Sequence, residues 1–275
     1  MQSSPPIVLS IAGYDPSAGA GVLADLKTFA AAGVYGMGCI TALTIQSTQG
    51  VRRMIALAPS IVIETLDCLA EDVCFGAIKV GMLGKGDIAR VVLAWLDGQK
   101  GVPVVLDPVL KSSSGKDLLD VDGCEVLRGA WLARADWITP NLAEVAALTG
   151  TFSPTSRAET EKAARQLQGM AAVQGNVALK IVVTGGHAAA PDDLLLVGDQ
   201  CQWFAGEHIE TTCTHGTGCA FSSALAARIA RGDGPSAAMQ AAKDYVTGAL
   251  RHAYPAGKGS GPLNHSWEKA YGSKV

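Results

Sequence analysis

The chain has 275 residues, 48% hydrophobic and 17% charged, with a formal net charge of -3. That composition excludes a disordered or fibrous chain, and without basic blocks there is no footing for nucleic acid or an anionic membrane surface. Seven scattered cysteines without a C-x-x-C pair read as reduced thiols of a cytoplasmic protein, not as a disulfide framework or a structural zinc site.

From the N-terminus, MQSSPPIVLSIAG has no basic segment ahead of its short apolar run, so no signal peptide is expected. The charge-free stretch 29–45 is shorter than the ~20 residues of a membrane span. Short apolar runs then alternate with helical patterns. IVLSIAG (7–13), GMGCITALTI (36–45), FGAIKVGML (75–83), VPVVLDP (102–108), DWITP (136–140) and LKIVVTGG (179–186) predict buried parallel strands. Val62, Leu66, Leu69 and Val73, and later Ile88, Val91, Val92 and Trp95, recur at helical spacing. Residues 193–212 break the rhythm, with short runs separated by GD and AG turns that suit antiparallel strands. Helices are expected from Thr217 to Arg231 and from Pro235 to about His252. The result is one α/β domain over 1–275, with a mostly parallel sheet, an antiparallel edge and room for a small lid near 33–56.

Several stretches carry candidate chemistry. GAGVLA (19–24) matches a dinucleotide fingerprint, but its glycines begin well past the predicted strand, and no Asp or Glu lies between Leu26 and Ile63 to hold a ribose. Asp15 precedes a proline turn where it could cap, and Asp25 lies one helical face from the glycines. No Walker A sequence occurs, which excludes a P-loop NTPase. Asp107 and Glu144 stand near predicted carboxyl ends of strands, where open α/β sheets bind ligands. Asn141 and Glu144 fit a capping box equally well as an oxygen-rich site for Mg2+ and phosphate.

In THGTGC, backbone N–H groups at the start of a helix would favour an anion, unless the loop is an ordinary helix entry capped by Thr217. Cys219 stands in that first turn. A thiol there is expected to have its pKa lowered from about 8.5 toward neutrality, making it a nucleophile, metal ligand or proton acceptor. A buried packing role is the alternative. Zinc held by Cys213, His215 and Cys219 is disfavoured by nonstandard spacing.

Taken together, AGYDPSAGAGVLADLKTFAAAGVYGMGCITALTIQST, IKVGMLG, VVLDPV, ITPNLAEVAAL, GGH, THGTGCAFSSALAA and GKGSGPLNH resemble, in order and spacing, the hydroxymethylpyrimidine/phosphomethylpyrimidine kinases of thiamin biosynthesis. The resemblance runs from Ile7 to His265 and implies a ribokinase-like three-layer α/β/α fold. It implies an enzyme that uses ATP and Mg2+ to phosphorylate 4-amino-5-hydroxymethyl-2-methylpyrimidine and then its monophosphate, and that forms a homodimer. Cys219 would accept the hydroxyl proton while Gly216, Thr217 and Gly218 stabilise the transferring phosphoryl group. Gly13, Asp25, Gln46 and Met82 would line the pyrimidine pocket. Asp107, Asn141 and Glu144 would serve Mg2+ and phosphate, and Thr184, Gly185, Gly186 and His187 the nucleotide.

Three positions depart from the family pattern: Thr184 replaces a lysine, Tyr14 a small hydroxyl residue and Val80 a threonine. Pyridoxal or pyridoxine phosphorylation by the same fold is the nearest rival. A non-catalytic pyrimidine-binding regulatory protein is a rival of another class, motivated by Thr184.

Overall fold

The computed structural model describes residues 4–186 and 191–268. The strands are β1 (Ile7–Tyr14), β2 (Tyr35–Ser47), β3 (Gly50–Ala56), β4 (Ala77–Val80), β5 (Val104–Leu106), β6 (Trp137–Ile138), β7 (Lys180–Val183), β8 (Asp193–Val197) and β9 (Gln200–Phe204). They form one sheet in the order β3-β2-β1-β4-β5-β6-β7-β8-β9. The strands from β2 to β7 in that order run parallel, while β3 at one edge and β8 and β9 toward the other pair antiparallel. The expected antiparallel edge is present, and there is a second one. The stretch 33–56 forms a long hairpin: β2 pairs with β1 over its first part and with β3 over its last.

The helices are α1 (Gly21–Ala31), α2 (Pro59–Asp72), α3 (Gly86–Leu96), α4 (Val121–Val126), α5 (Leu132–Arg134), α6 (Leu142–Thr149), α7 (Arg157–Val173), α8 (Thr217–Ala230) and α9 (Pro235–Arg251), with a π-helical turn at Leu127–Trp131. Strand periodicity sorts side chains between two helical layers. Leu9, Ile11, Ile78, Val80, Leu106 and Ile181 share a core with α2, α3, α6 and α7. Val8, Ala77, Val105, Val182 and Leu195 pack with α1, α8 and α9 on the opposite face. By the same alternation Ser10, Lys79 and Asp193 lie on the α1/α8/α9 side, where each meets a polar partner.

Local chemistry sets the helix starts. Pro59 and Pro235 open α2 and α9 in the first turn, where a missing N–H costs nothing. Asn141 and Glu144 form a reciprocal capping box on α6, and Gly150 ends that helix in the left-handed conformation. Among the described residues no helix is long and apolar enough to cross a membrane.

Candidate active site

The sheet order reverses between β1 and β4: β1 connects outward to β2, and the chain then returns to β4 on the other side. Such a switch point opens a crevice at the carboxyl ends of the strands. Asp15 follows β1, Met82 follows β4, Asp107 follows β5, Asn141 lies beyond β6 and Thr184 follows β7. Residues far apart in the chain thereby share one edge.

The first turn of α8 faces this edge. Gly216 is the N-cap, with φ 84° and no side-chain cap. A Cβ at Gly216 would overlap the Gly19 carbonyl, so the position needs glycine for conformation and for space. The Thr217 hydroxyl donates back to the Thr214 carbonyl at 2.7 Å instead of capping the helix. Gly218 has open space where a side chain would stand. Uncapped N–H groups beside open space suit an anion, and the expected Thr217 side-chain cap is absent.

Beneath this turn lies a buried charge cluster. Lys79 is 0% exposed, and its Nζ donates to Asp25 Oδ1 and Oδ2 at 3.1 and 3.0 Å and stands 3.8 Å from Asp107 Oδ2. Burial would neutralise the ammonium, but Asp25, Cys219 and Asp107 hold its pKa above the ordinary lysine value. A Cβ at Gly81 would crowd Nζ, so that glycine makes room for the cation. Helix α8 contributes two more donors: Ser222 Oγ to Asp107 Oδ2 at 3.0 Å and Ser223 Oγ to Asp25 Oδ1 at 2.7 Å. Ser10 Oγ donates to Asp25 Oδ2 at 2.5 Å. Both Asp25 oxygens are therefore engaged within the protein, and the residue is fully buried.

The expected lowering of the Cys219 thiol pKa does not hold. Burial pushes it up to about 12, Asp107 and Asp25 add to the rise, and Lys79 and the Gly21 N–H pull only partly back. Two carboxylates and loss of water outweigh the helix start.

Asp107 is likewise raised, by burial first, against Lys79 and Ser222. Burial and the Asp107 charge raise Glu144 to about 8. Two carboxylates that resist sharing negative charge would gain from a cation, and Mg2+ needs only one or two, with phosphate oxygens and water completing its shell. The residues present therefore fit the ion. The capping box engages one Glu144 oxygen and the Asn141 carbonyl oxygen. A capping role and a cation-binding one are compatible at these residues.

Glu144 also makes stability depend on pH. Its folded pKa exceeds the unfolded value, so folding takes up a proton, and this stabilisation is lost as pH rises from 4.5 through about 8. Without added nucleotide or Mg2+, the melting temperature should fall across that window, and Glu144→Gln should flatten the fall. A variant that tracks wild type, measured by circular dichroism at both ends, would refute the assignment.

The remaining candidates are placed as follows. Gly13 and Met82 pack together, with no space for a Cβ between them. Met82 joins Ala42 and Leu118 in a small apolar cluster. Gln46 lies one residue before the end of β2, with its Nε2 3.2 Å from His215 Nε2, and that same ring nitrogen lies 2.8 Å from Asp15 Oδ2. Hydrogen bonds from His215 and Ser17 outweigh the burial of Asp15 and keep its carboxyl below the ordinary range. Asp15 and His215 thus tie the first glycine-rich loop to the THGTGC loop. The Thr184 N–H donates to the Pro140 carbonyl at 2.9 Å, and the Gly185 N–H to Asp193 Oδ1 at 2.9 Å. Among the described residues nothing crowds Gly186. His187 lies outside the described residues. A cavity of about 400 Å³ at the tip of the β2–β3 hairpin, lined by residues including Gln49, Arg52, Ser114 and Lys116, is lined by none of these groups.

Sequence reading passed over Lys79, Ser222, Ser223, Ser10 and the Asp15–His215 link. Lys79 had a usable signal, a lone charge inside an apolar strand, which must find a partner or not be buried.

The family model described as phosphomethylpyrimidine kinase matches residues 15–264. The chain belongs to the phosphomethylpyrimidine kinase family. A hydroxymethylpyrimidine/phosphomethylpyrimidine kinase from Staphylococcus aureus is 37% identical over 264 residues, covering 95% of this chain and 94% of the relative. Among solved structures, a pyridoxal kinase from Bacillus subtilis in complex with ADP superposes with a TM-score of 0.87 at 29% identity, covering 97% of this chain and 100% of that one. A phosphomethylpyrimidine kinase from Clostridium difficile superposes with a TM-score of 0.77 at 30% identity, covering 88% and 98%. The fold is ribokinase-like and the protein is a phosphotransferase.

Proposed function

We propose that this kinase transfers a phosphoryl group from ATP to the hydroxymethyl oxygen of 4-amino-5-hydroxymethyl-2-methylpyrimidine, and a second to the monophosphate formed, giving the diphosphate. The observation that carries the reading is the first turn of α8, where uncapped N–H groups and Cys219 stand together over Lys79 and Asp107.

In this reading Gly13 and Met82 floor the pyrimidine pocket. The Gln46 carboxamide pairs with the amino group and adjacent ring nitrogen, as Gln pairs bidentately with adenine. Asp107 and Glu144, with Asn141 beside them, hold Mg2+. When bound, the ion neutralises these carboxylates and the phosphate oxygens. Gly216, Thr217 and Gly218 offer N–H groups to the phosphoryl group in transfer. Cys219, as its thiolate, accepts the proton of the hydroxymethyl group and becomes the thiol; Lys79 favours the thiolate that must stand there beforehand. Thr184, Gly185 and Gly186 meet the nucleotide.

A second reading, pyridoxal phosphorylation, is favoured by one observation: the TM-score to the pyridoxal kinase, 0.87, exceeds that to the phosphomethylpyrimidine kinase, 0.77. ADP release measured with hydroxymethylpyrimidine, its monophosphate, pyridoxal and pyridoxine decides between them. Turnover of both pyrimidines with higher kcat/KM than either pyridine is expected. Preference for pyridoxal would reverse the order, and tight pyrimidine binding without ADP release would mark a sensor.

The working form in this reading is a cytosolic homodimer. Leu43, Ile45 and Ile55 are 40%, 43% and 43% exposed on one face of the β2–β3 hairpin, an apolar patch that a second copy would cover. Sedimentation at the mass of a monomer would overturn that assignment.

A further inference from the structure

Lys243 on α9 and Asp193 at the start of β8 form an ion pair in which both residues are buried, 8% and 6% exposed. Lys243 Nζ lies 2.6 Å from Asp193 Oδ2. A buried pair of this kind is weak evidence of stabilisation, because loss of hydration offsets the attraction. Its remaining hydrogen bonds point to another use. Asp193 Oδ1 accepts the Gly185 N–H at 2.9 Å, and Lys243 Nζ also donates to the Pro191 carbonyl at 3.0 Å. The pair thus grips the chain just after β7 and just before β8. Gly185 is wedged as well, since a Cβ there would overlap the Asp192 carbonyl oxygen. One residue earlier the Thr184 N–H is held by Pro140. The next residue, Gly186, is exposed, with open space around it among the described residues.

We propose that Lys243 and Asp193 are positioning residues for the nucleotide, acting through Gly185 to fix the backbone that Thr184 and Gly186 present to ATP. The inference rests on the assignment of Thr184–Gly186 to the nucleotide. It also gives the Thr184 departure a consequence. Without a lysine at that position, nucleotide contacts there fall to backbone groups and a hydroxyl, whose orientation must be set from behind.

Two neutral double variants test this. Asp193→Asn with Lys243→Met removes both charges but keeps an amide oxygen for the Gly185 N–H. Asp193→Ala with Lys243→Met removes that acceptor too. Affinity for a nonhydrolysable ATP analogue is read by calorimetry, and KM for ATP and for the pyrimidine by ADP release. The asparagine variant should stay within about threefold of wild type in nucleotide affinity, and the alanine variant should lose about tenfold, the scale of one buried hydrogen bond. The pyrimidine KM should move by less than about twofold in either, since no pyrimidine contact is altered. Equal nucleotide affinity in the two variants overturns the proposal, as does an equal rise in both KM values. Failure of the asparagine variant to fold also overturns it, because the pair would then be a core element. Calorimetry does not depend on turnover, so it reads the nucleotide even if the pyrimidine proves not to be the substrate. No binding of the analogue by wild type would remove the nucleotide assignment and the inference with it.

Discussion

Replacing Cys219 with alanine is expected to slow the first phosphorylation by ~10²- to 10⁴-fold, the usual contribution of a general base, while leaving the second within a few-fold of wild type. The difference follows from the acceptors. The hydroxymethyl group must lose a proton as its oxygen attacks, whereas the oxygen of the monophosphate is already ionised and has none to give. The raised thiol adds a pH signature. With burial, Asp107 and Asp25 holding Cys219 up to about 12, thiolate becomes available only as pH rises. The first step should therefore climb with pH on an alkaline limb above the ordinary thiol value of about 8.5. Cys219→Ala should abolish that limb and leave the second step's profile unchanged. Separate assays of the two steps across pH provide the check. Equal losses in both would make Cys219 a residue that shapes the α8 turn instead of one that takes a proton.

The second large effect is expected at Lys79. Replacement by methionine keeps most of the volume but leaves Asp25 and Asp107 facing each other without their buried cation. Breaking a buried pair by removing one partner costs ~3 to 5 kcal/mol, because the remaining charge has neither water nor counterion. Stability in urea should fall by about that amount, and phosphoryl transfer should fall as well, because the same cation supports Asp107 and a thiolate at Cys219. Adding Asp25→Asn should return much of the stability, since the amide can still meet Ser10 and Ser223. Activity should recover less. A Lys79→Met protein within 1 kcal/mol of wild type, on the ~1 kcal/mol scale of an ordinary point mutation, would mean that the cluster relaxes or takes up water.

How much of this was legible in the sequence differs by element. The central parallel strands were readable because they are buried on both faces and appear as continuous apolar runs, as IVLSIAG and LKIVVTGG do. Strand β3 was not, because GVRRMIA is an edge strand with polar residues toward solvent, and it carries neither a clean apolar run nor a clean alternation. The antiparallel stretch ended sooner than expected, at Phe204, and residues 205–212 run on without strand pairing. The capping box at Asn141 and Glu144 was readable from spacing alone, since it closes within one turn of chain.

The site divides along the same line. The sequence by itself determined the α/β class, the glycine-rich helix entry, the thiol in its first turn and the resemblance that joins them, because these depend on local pattern and spacing. Only the tertiary structure decided the electrostatics. Lys79 lies between Asp25 and Asp107 because strand alternation turns it under α1 and α8, and no local rule pairs residues so far apart in the chain. For the same reason the Cys219 thiol is raised instead of lowered. A helix start acts within its own turn, but loss of water and the carboxylates of Asp107 and Asp25 reach the thiol through the fold and raise it.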